Sequence, residues 1–285
     1  MLCTSSWSIP RSPVAQNLRK TSIWNEPGCQ RFGVQGWLSS WICAGDCDCA
    51  NIRMLMERLI LFDIDGTLTR TQNGFLPFNE AIQKTFGIDG DIRTVVPDGN
   101  TDPMIVEDIF AHANVEIEIQ HTDWQHFSAI LRDCYKDAVR QGTTTIRPLP
   151  GAMELVRALS VSEHFHPSVV TGNFEVTAEI KLEAAGLLPY LHRGAYASDS
   201  HHRPDLPQIA RTRWQQVTGR SLRTEQCVVI GDTPKDLAAA WHNQMKCVLV
   251  GTGRYPVEEL RYCEPDECVA DLADTQSILA MLSKI

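Results

Sequence analysis

Four short apolar runs separated by helical patterns constrain this chain more than any other feature. The runs are Leu59-Ile60-Leu61-Phe62, Ser168-Val169-Val170-Thr171, Cys227-Val228-Val229-Ile230 and Cys247-Val248-Leu249-Val250. Each has strand length and lacks the polar alternation of a half-exposed strand, which predicts parallel strands buried on both faces. Between them, Leu155, Val156 and Leu159 share a helical face, and Thr177 to Ala185 reads as a helix closed by Gly186. Ile209 to Trp214 and Leu237 to Trp241 suggest two more. Strands alternating with helices imply an α/β fold, a Rossmann-like parallel sheet with helices on both faces.

Residues 73–147 interrupt the alternation with three helical patterns and no strong strand. Phe78, Ala81, Ile82 and Phe86 mark the first apolar face. Met104, Ile105, Ile109 and Phe110 mark the second, with Asp102 expected as N-cap and Pro103 at the first helical position. Trp124, Phe127, Leu131, Cys134 and Ala138 mark the third, with Thr122 and Gln125 at capping-box spacing. The expected organisation is a core of residues 56–72 and 148–285 carrying a helical cap at 73–147. That insert holds 12 acids against 6 lysines and arginines, so it disfavours long polyanions.

Residues 1–55 show neither periodicity, and the compact protein is expected to begin near Met54 or Met56. The upstream stretch reads as a disordered or non-native extension. Its first 25 residues carry Arg11, Arg19, Lys20 and no acid, a composition shared with organellar targeting segments. Cys43, Cys47 and Cys49 fit no standard zinc spacing, and Cys227 and Cys247 read as small core hydrophobes. A net charge of −9 argues against nucleic acid as a partner. No apolar run approaches the ~20 residues of a membrane-spanning helix. A cytoplasmic monomer or homodimer acting on a small molecule is the expectation.

Parallel sheets place ligands at the carboxyl ends of their strands. Polar residues follow three of the runs at once: Asp63-Ile64-Asp65-Gly66-Thr67-Leu68-Thr69, then Thr171-Gly172-Asn173, then Gly231-Asp232-Thr233-Pro234-Lys235-Asp236. Carboxylates converging on one sheet edge call for a cation, and hard oxygen ligands suit magnesium.

These segments resemble the haloacid dehalogenase superfamily. DIDGTLT matches its DxDGTLT nucleophile motif, VVTGN its second motif and GDTPKD its GDxxxD metal motif. The helical insert after the first motif resembles the C1 cap of the phosphoglycolate phosphatase and β-phosphoglucomutase-like subgroup. The resemblance implies a magnesium-dependent phosphatase acting on a small phosphorylated metabolite. It makes Asp63 the nucleophile that forms an aspartyl phosphate, and Asp65 the acid and base whose carbonyl also ligates Mg2+. Asp232 becomes a metal carboxylate, with Asp236 beside it as a direct or outer partner. Thr171, Gly66, Gly172 and Asn173 would hold the phosphoryl group. Gly99, Thr101 and Asp102 resemble a substrate-specificity loop. The acid at position 65 distinguishes this pattern from dehalogenases; a phosphosugar mutase and a non-catalytic binding protein are the alternatives.

One element of the family departs. The usual lysine of a Lys-Pro step is absent from Ser200-His201-His202-Arg203-Pro204. Arg203 is the favoured substitute for the phosphate-stabilising cation, with Lys181 as rival. His201, His202 and Lys235 are expected to be solvated.

Overall fold

The computed structural model describes residues 57–285; the expectations for residues 1–55 and their cysteines lie outside that range. Six strands form one parallel sheet: β1 (Arg58–Phe62), β4 (Phe165–Val170), β5 (His192–Ala195), β6 (Cys227–Gly231), β7 (Lys246–Val250) and β8 (Glu267–Val269), in the order β5-β4-β1-β6-β7-β8. β1 is central, with Ile60 opposite both Pro167 and Val228. Its five residues are all buried, which explains the unbroken apolar run. The second run starts three residues earlier than its apolar letters suggest and passes through Pro167. The ladder to β5 begins only at Ser168, past the proline.

Helices cover both faces. Helices α4 (Ala152–Ser160), α5 (Glu175–Ala184) and α9 (Thr275–Leu282) pack on Ile60, Phe62, Val228 and Val248. Helices α6 (Leu206–Thr218), α7 (Pro234–His242) and α8 (Val257–Arg261) pack on Leu59, Leu61, Val229 and Leu249. Cys227 and Cys247 are fully buried in that second layer, as small hydrophobes. From β1 the chain builds β4 and β5 on one side, then returns to build β6, β7 and β8 on the other. The crevice between β1 and β6 is therefore the topological switch point.

The helical insert enters and leaves through a two-stranded antiparallel ribbon, β2 (Thr69–Gln72) against β3 (Thr145–Pro148). Its helices α1 (Phe75–Phe86), α2 (Asp102–His112) and α3 (His121–Gln141) bury Phe78, Ile82, Ile109, Trp124, Phe127 and Leu131 together with Phe174, Ile180 and Ala197 of the sheet unit. The insert thus rests on the side of the core that carries the Thr171-Gly172-Asn173 turn.

Two helix starts differ from expectation. The capping box of α3 is Gln120 with Asp123, not Thr122 with Gln125, because the helix begins at His121 and takes Thr122 inside. Thr101, not Asp102, occupies the N-cap of α2, because the Asp102 carboxylate is engaged elsewhere. Among the described residues, no helix is long and apolar enough to cross a membrane.

Candidate active site

Asp63, Asp232 and Asp236 come together at the carboxyl ends of β1 and β6, with one oxygen of each within 4.8 Å of the others, all buried. Asp63 follows β1 directly, and its N–H donates to the Ile230 carbonyl at 2.9 Å. Asp236 caps α7: its Oδ2 accepts from Thr233 N (3.0 Å) and Thr233 Oγ1 (2.7 Å). Its Oδ1 accepts from Arg203 Nη2 at 2.5 Å. Arg203 is the buried residue of a 3-10 turn, Arg203–Asp205, and also reaches Asp63 Oδ1 at 3.1 Å. Both Asp236 oxygens are therefore taken by the protein itself.

Burial first, then Asp236 and Asp65, pushes the Asp63 carboxyl up to about 7 against the pull of Arg203. Burial and the neighbours Asp63 and Asp236 push Asp232 to about 9, with Arg203 and Thr67 opposing. Three buried carboxylates facing a single guanidinium are short of positive charge. A divalent cation on oxygen ligands fits that donor set.

Asp65 stands apart from this trio. Its side chain is 43% exposed into the cavity and accepts from Lys181 Nζ at 2.6 Å, Asn173 Nδ2 at 2.8 Å and Thr71 Oγ1 at 3.4 Å. Desolvation favours its neutral form, but Lys181 and these hydrogen bonds outweigh it and hold the carboxyl below its ordinary range. Lys181 is itself buried and donates to Asn173 Oδ1 at 2.7 Å. The side chain runs back along α5 toward its start, as helical side chains do. The structure thus gives the two predicted cations different carboxylates: Arg203 meets Asp63 and Asp236, Lys181 meets Asp65.

Thr171 lies just past β4, fully buried, and its Oγ1 accepts from Asn173 N and Nδ2. Gly66 has φ +83°, and a Cβ there would fall 2.4 Å from Asp232 Oδ2. A Cβ on Gly172 would fall 2.0 Å from the Asn100 carbonyl oxygen. Both positions require glycine for close approach.

The predicted specificity segment docks on the sheet unit. Gly99 packs on Thr233 and Lys235. The fully buried Thr101 donates to the His201 carbonyl at 2.8 Å and does not border the cavity. Asp102 N donates to the Gly172 carbonyl at 2.7 Å, and Asp102 Oδ2 accepts from Phe174 N at 2.8 Å. Burial pushes the Asp102 carboxyl up to about 7, with Lys181 and the Phe174 N–H opposing. Lys235 is exposed as expected, yet it bridges to Asn100 Oδ1 of the insert at 2.5 Å. His201 and His202 are exposed, the His201 ring resting edge-on to Trp124.

A cavity of about 700 Å3 joins these groups. Its floor is Asp63, Asp65, Asp232, Thr171, Lys181 and Arg203, and the insert supplies Phe78, Ile105, Leu131 and Tyr135. Arg70, Arg93 and Arg254 also line it. Sequence reasoning did not single out these three; the positions directly after DIDGTLT for Arg70 and after β7 for Arg254 were the available signal for those two.

The chain is 24% identical to the probable phosphatase IndB of Dickeya dadantii over 244 residues, 81% of this chain and 96% of that protein. Its fold is similar to the crystal structure of a predicted phosphoglycolate phosphatase from Haemophilus somnus, with TM-score 0.57, 20% identity, and coverage of 78% of this chain and 98% of the other. It is also similar to CbbY from Rhodobacter sphaeroides in complex with phosphate, with TM-score 0.56, 17% identity, and coverage of 77% and 96%. The family described as haloacid dehalogenase-like hydrolase matches residues 57–241, the stretch that runs from β1 to the end of the Asp232 loop and its helix, and the chain belongs to that family.

Proposed function

We propose that the protein is a phosphatase that hydrolyses a small phosphate monoester through an aspartyl phosphate on Asp63. The observation that carries this reading is the pairing of two buried cations with two functionally different carboxylates on one cavity floor. Arg203 faces Asp63, and Lys181 faces Asp65.

Asp63 Oδ attacks phosphorus and the ester oxygen departs with a proton from Asp65. In the resting arrangement Lys181 holds Asp65 ionised. An incoming phosphate offers Lys181 a new anionic partner and frees Asp65 to take up from solvent the proton that it gives to the leaving oxygen. Asp65, once deprotonated by the departing alcohol, removes a proton from the water that attacks the acyl phosphate, and inorganic phosphate leaves. The Thr171 hydroxyl and the main-chain N–H groups near Gly66 and Gly172 are the donors for the equatorial oxygens, where charge develops.

Asp63, Asp232 and the main-chain carbonyl of Asp65 are the residues that would hold Mg2+, with Asp236 engaged in fixing Arg203. Bound there, the ion neutralises the crowded carboxylates and the phosphoryl oxygens. The insert acts as a cap that closes the cavity and selects the leaving group, and the protein works as a soluble cytoplasmic enzyme.

A screen of small phosphate esters with purified protein tests the reading. Hydrolysis should vanish in excess chelator, return with Mg2+ and fail to return with Ca2+, whose looser and larger coordination misplaces the nucleophile. Full turnover in chelator would refute the role of Asp232.

A further inference from the structure

Asp232 is held in place in an unusual way. Among the described residues its one side-chain hydrogen bond is from Thr67 Oγ1 at 3.3 Å, a long contact. Two glycines confine it instead. A Cβ on Gly66 would lie 2.4 Å from Asp232 Oδ2, and one on Gly253 would lie 1.6 Å from the same atom. The carboxylate is thus wedged between two stretches of bare backbone. These stretches are tied to each other, because Thr252 Oγ1 donates to the Gly66 carbonyl at 2.6 Å.

The loop that carries Gly253 is anchored at two points. Arg70 Nη2 donates to the Thr252 carbonyl at 2.5 Å. Arg254 Nη1 pairs with Asp98 Oδ2 at 3.1 Å. The second anchor crosses from the sheet unit to the insert. Asp98 belongs to the same segment, residues 97–102, that seats Gly99 and Asn100 on the Asp232 loop and Asp102 on the Gly172 turn. A contiguous path therefore runs from Asp98 through Arg254 and Gly253 to Asp232.

We propose that Arg254 is a positioning residue for Asp232, and that its ion pair with Asp98 makes the grip on the metal depend on the seating of the insert. The proposal rests on Asp232 being a metal ligand. The pair is exposed, 54% at Arg254 and 25% at Asp98, so breaking it has little effect on folding. An effect on the ion then reports geometry rather than stability.

The test uses the full chain and the variants Arg254→Gln, Arg254→Lys, Asp98→Asn and the double Arg254→Gln/Asp98→Asn. Mg2+ affinity is read by calorimetry without substrate, and kcat and KM with p-nitrophenyl phosphate at saturating Mg2+. Each single removal should weaken Mg2+ by about tenfold, the scale on which outer partners of metal ligands act. Melting temperature should stay within about 2 °C of wild type, as for loss of an exposed pair. The double variant should be no weaker than either single one, and Arg254→Lys should recover most of the affinity. Unchanged Mg2+ affinity in the single variants, or effects that multiply in the double, would overturn the proposal while leaving the phosphatase reading intact. A wild-type protein that binds no Mg2+ would instead remove the assignment of Asp232 on which both stand.

Discussion

Lys181 Nζ sits 2.6 Å from Asp65 Oδ2, although eight residues separate Lys181 from Asn173, its other partner at the turn before the helix. Arg203 makes the matching contact with Asp63 on the other side of the cavity floor. The two cations are thus not rivals for one post. Lys181→Met and Arg203→Ala should each lower kcat/KM by at least ~100-fold, the scale of a lost preorganised electrostatic contact. Only Arg203→Ala should also lower stability severely, by ~3–5 kcal/mol, because it strands Asp63 and Asp236 without a counter-charge. Steady-state kinetics and denaturant melts decide it; near-wild-type kcat/KM in either variant contradicts the division of labour.

Asp63→Asn keeps the shape of the side chain and removes its nucleophile. Turnover should fall by at least ~1,000-fold, in line with losses of other catalytic nucleophiles. In excess chelator the variant should melt no lower than wild type, since it relieves the crowding that pushes the Asp63 carboxyl up to about 7. Residual activity within tenfold of wild type would be fatal to the covalent mechanism.

Gly172→Ala tests the seat of the insert. The new methyl would stand 2.0 Å from the Asn100 carbonyl oxygen, and the backbone of Asn100 and Thr101 leaves it no room. The 97–102 segment must lift, so kcat/KM should fall by roughly tenfold or more, as misplacement of positioning groups does. The sheet should remain folded by circular dichroism. A variant with unaltered kcat/KM would mean that this contact does not matter for catalysis.

Asp102 supplies a pH signature. Its carboxyl ionises at about 7 in the folded chain and near ~4 when unfolded. Between those values the folded state binds more protons, so this group makes stability fall as pH rises through the interval. Asp102→Asn abolishes that component while the amide oxygen can still accept from Phe174 N. The melting temperature of the variant minus that of wild type should rise by a few degrees from pH 5 to pH 8, and a flat difference would show that Asp102 is not titrating there.

The core strands and the nucleophile turn were legible because burial on both faces leaves a strand no polar letters and because DIDGTLT sets two carboxylates and a glycine turn in one short stretch. The ribbon strands β2 and β3, with letters TRTQ and TIRP, show no such run, since they stand outside the six-stranded sheet and mix buried with exposed residues. The edge strands β5 and β8 are short and partly exposed, so their pairing is decided by the neighbours β4 and β7. Asp102 illustrates a different limit. Its position before Pro103 favours an N-cap, but the Phe174 N–H, 72 residues away in the chain, claims its carboxylate. The glycine wedge around Asp232 could not be read either, because Gly66 and Gly253 meet only in the folded chain.

The paired ribbon at the base of the insert has a consequence for descent. Thr69 stands opposite Pro148 and Gln72 opposite Thr145, so the chain departs from the sheet unit and rejoins it at one place. Away from residues 97–102, which dock on the sheet unit, a change of length between Gln72 and Thr145 leaves the pairing of β1 with β4 and β6 in register. The strands that lead into Asp63, Thr171 and Asp232 are thereby encoded outside the insert, and a lineage can vary the insert's length while inheriting them.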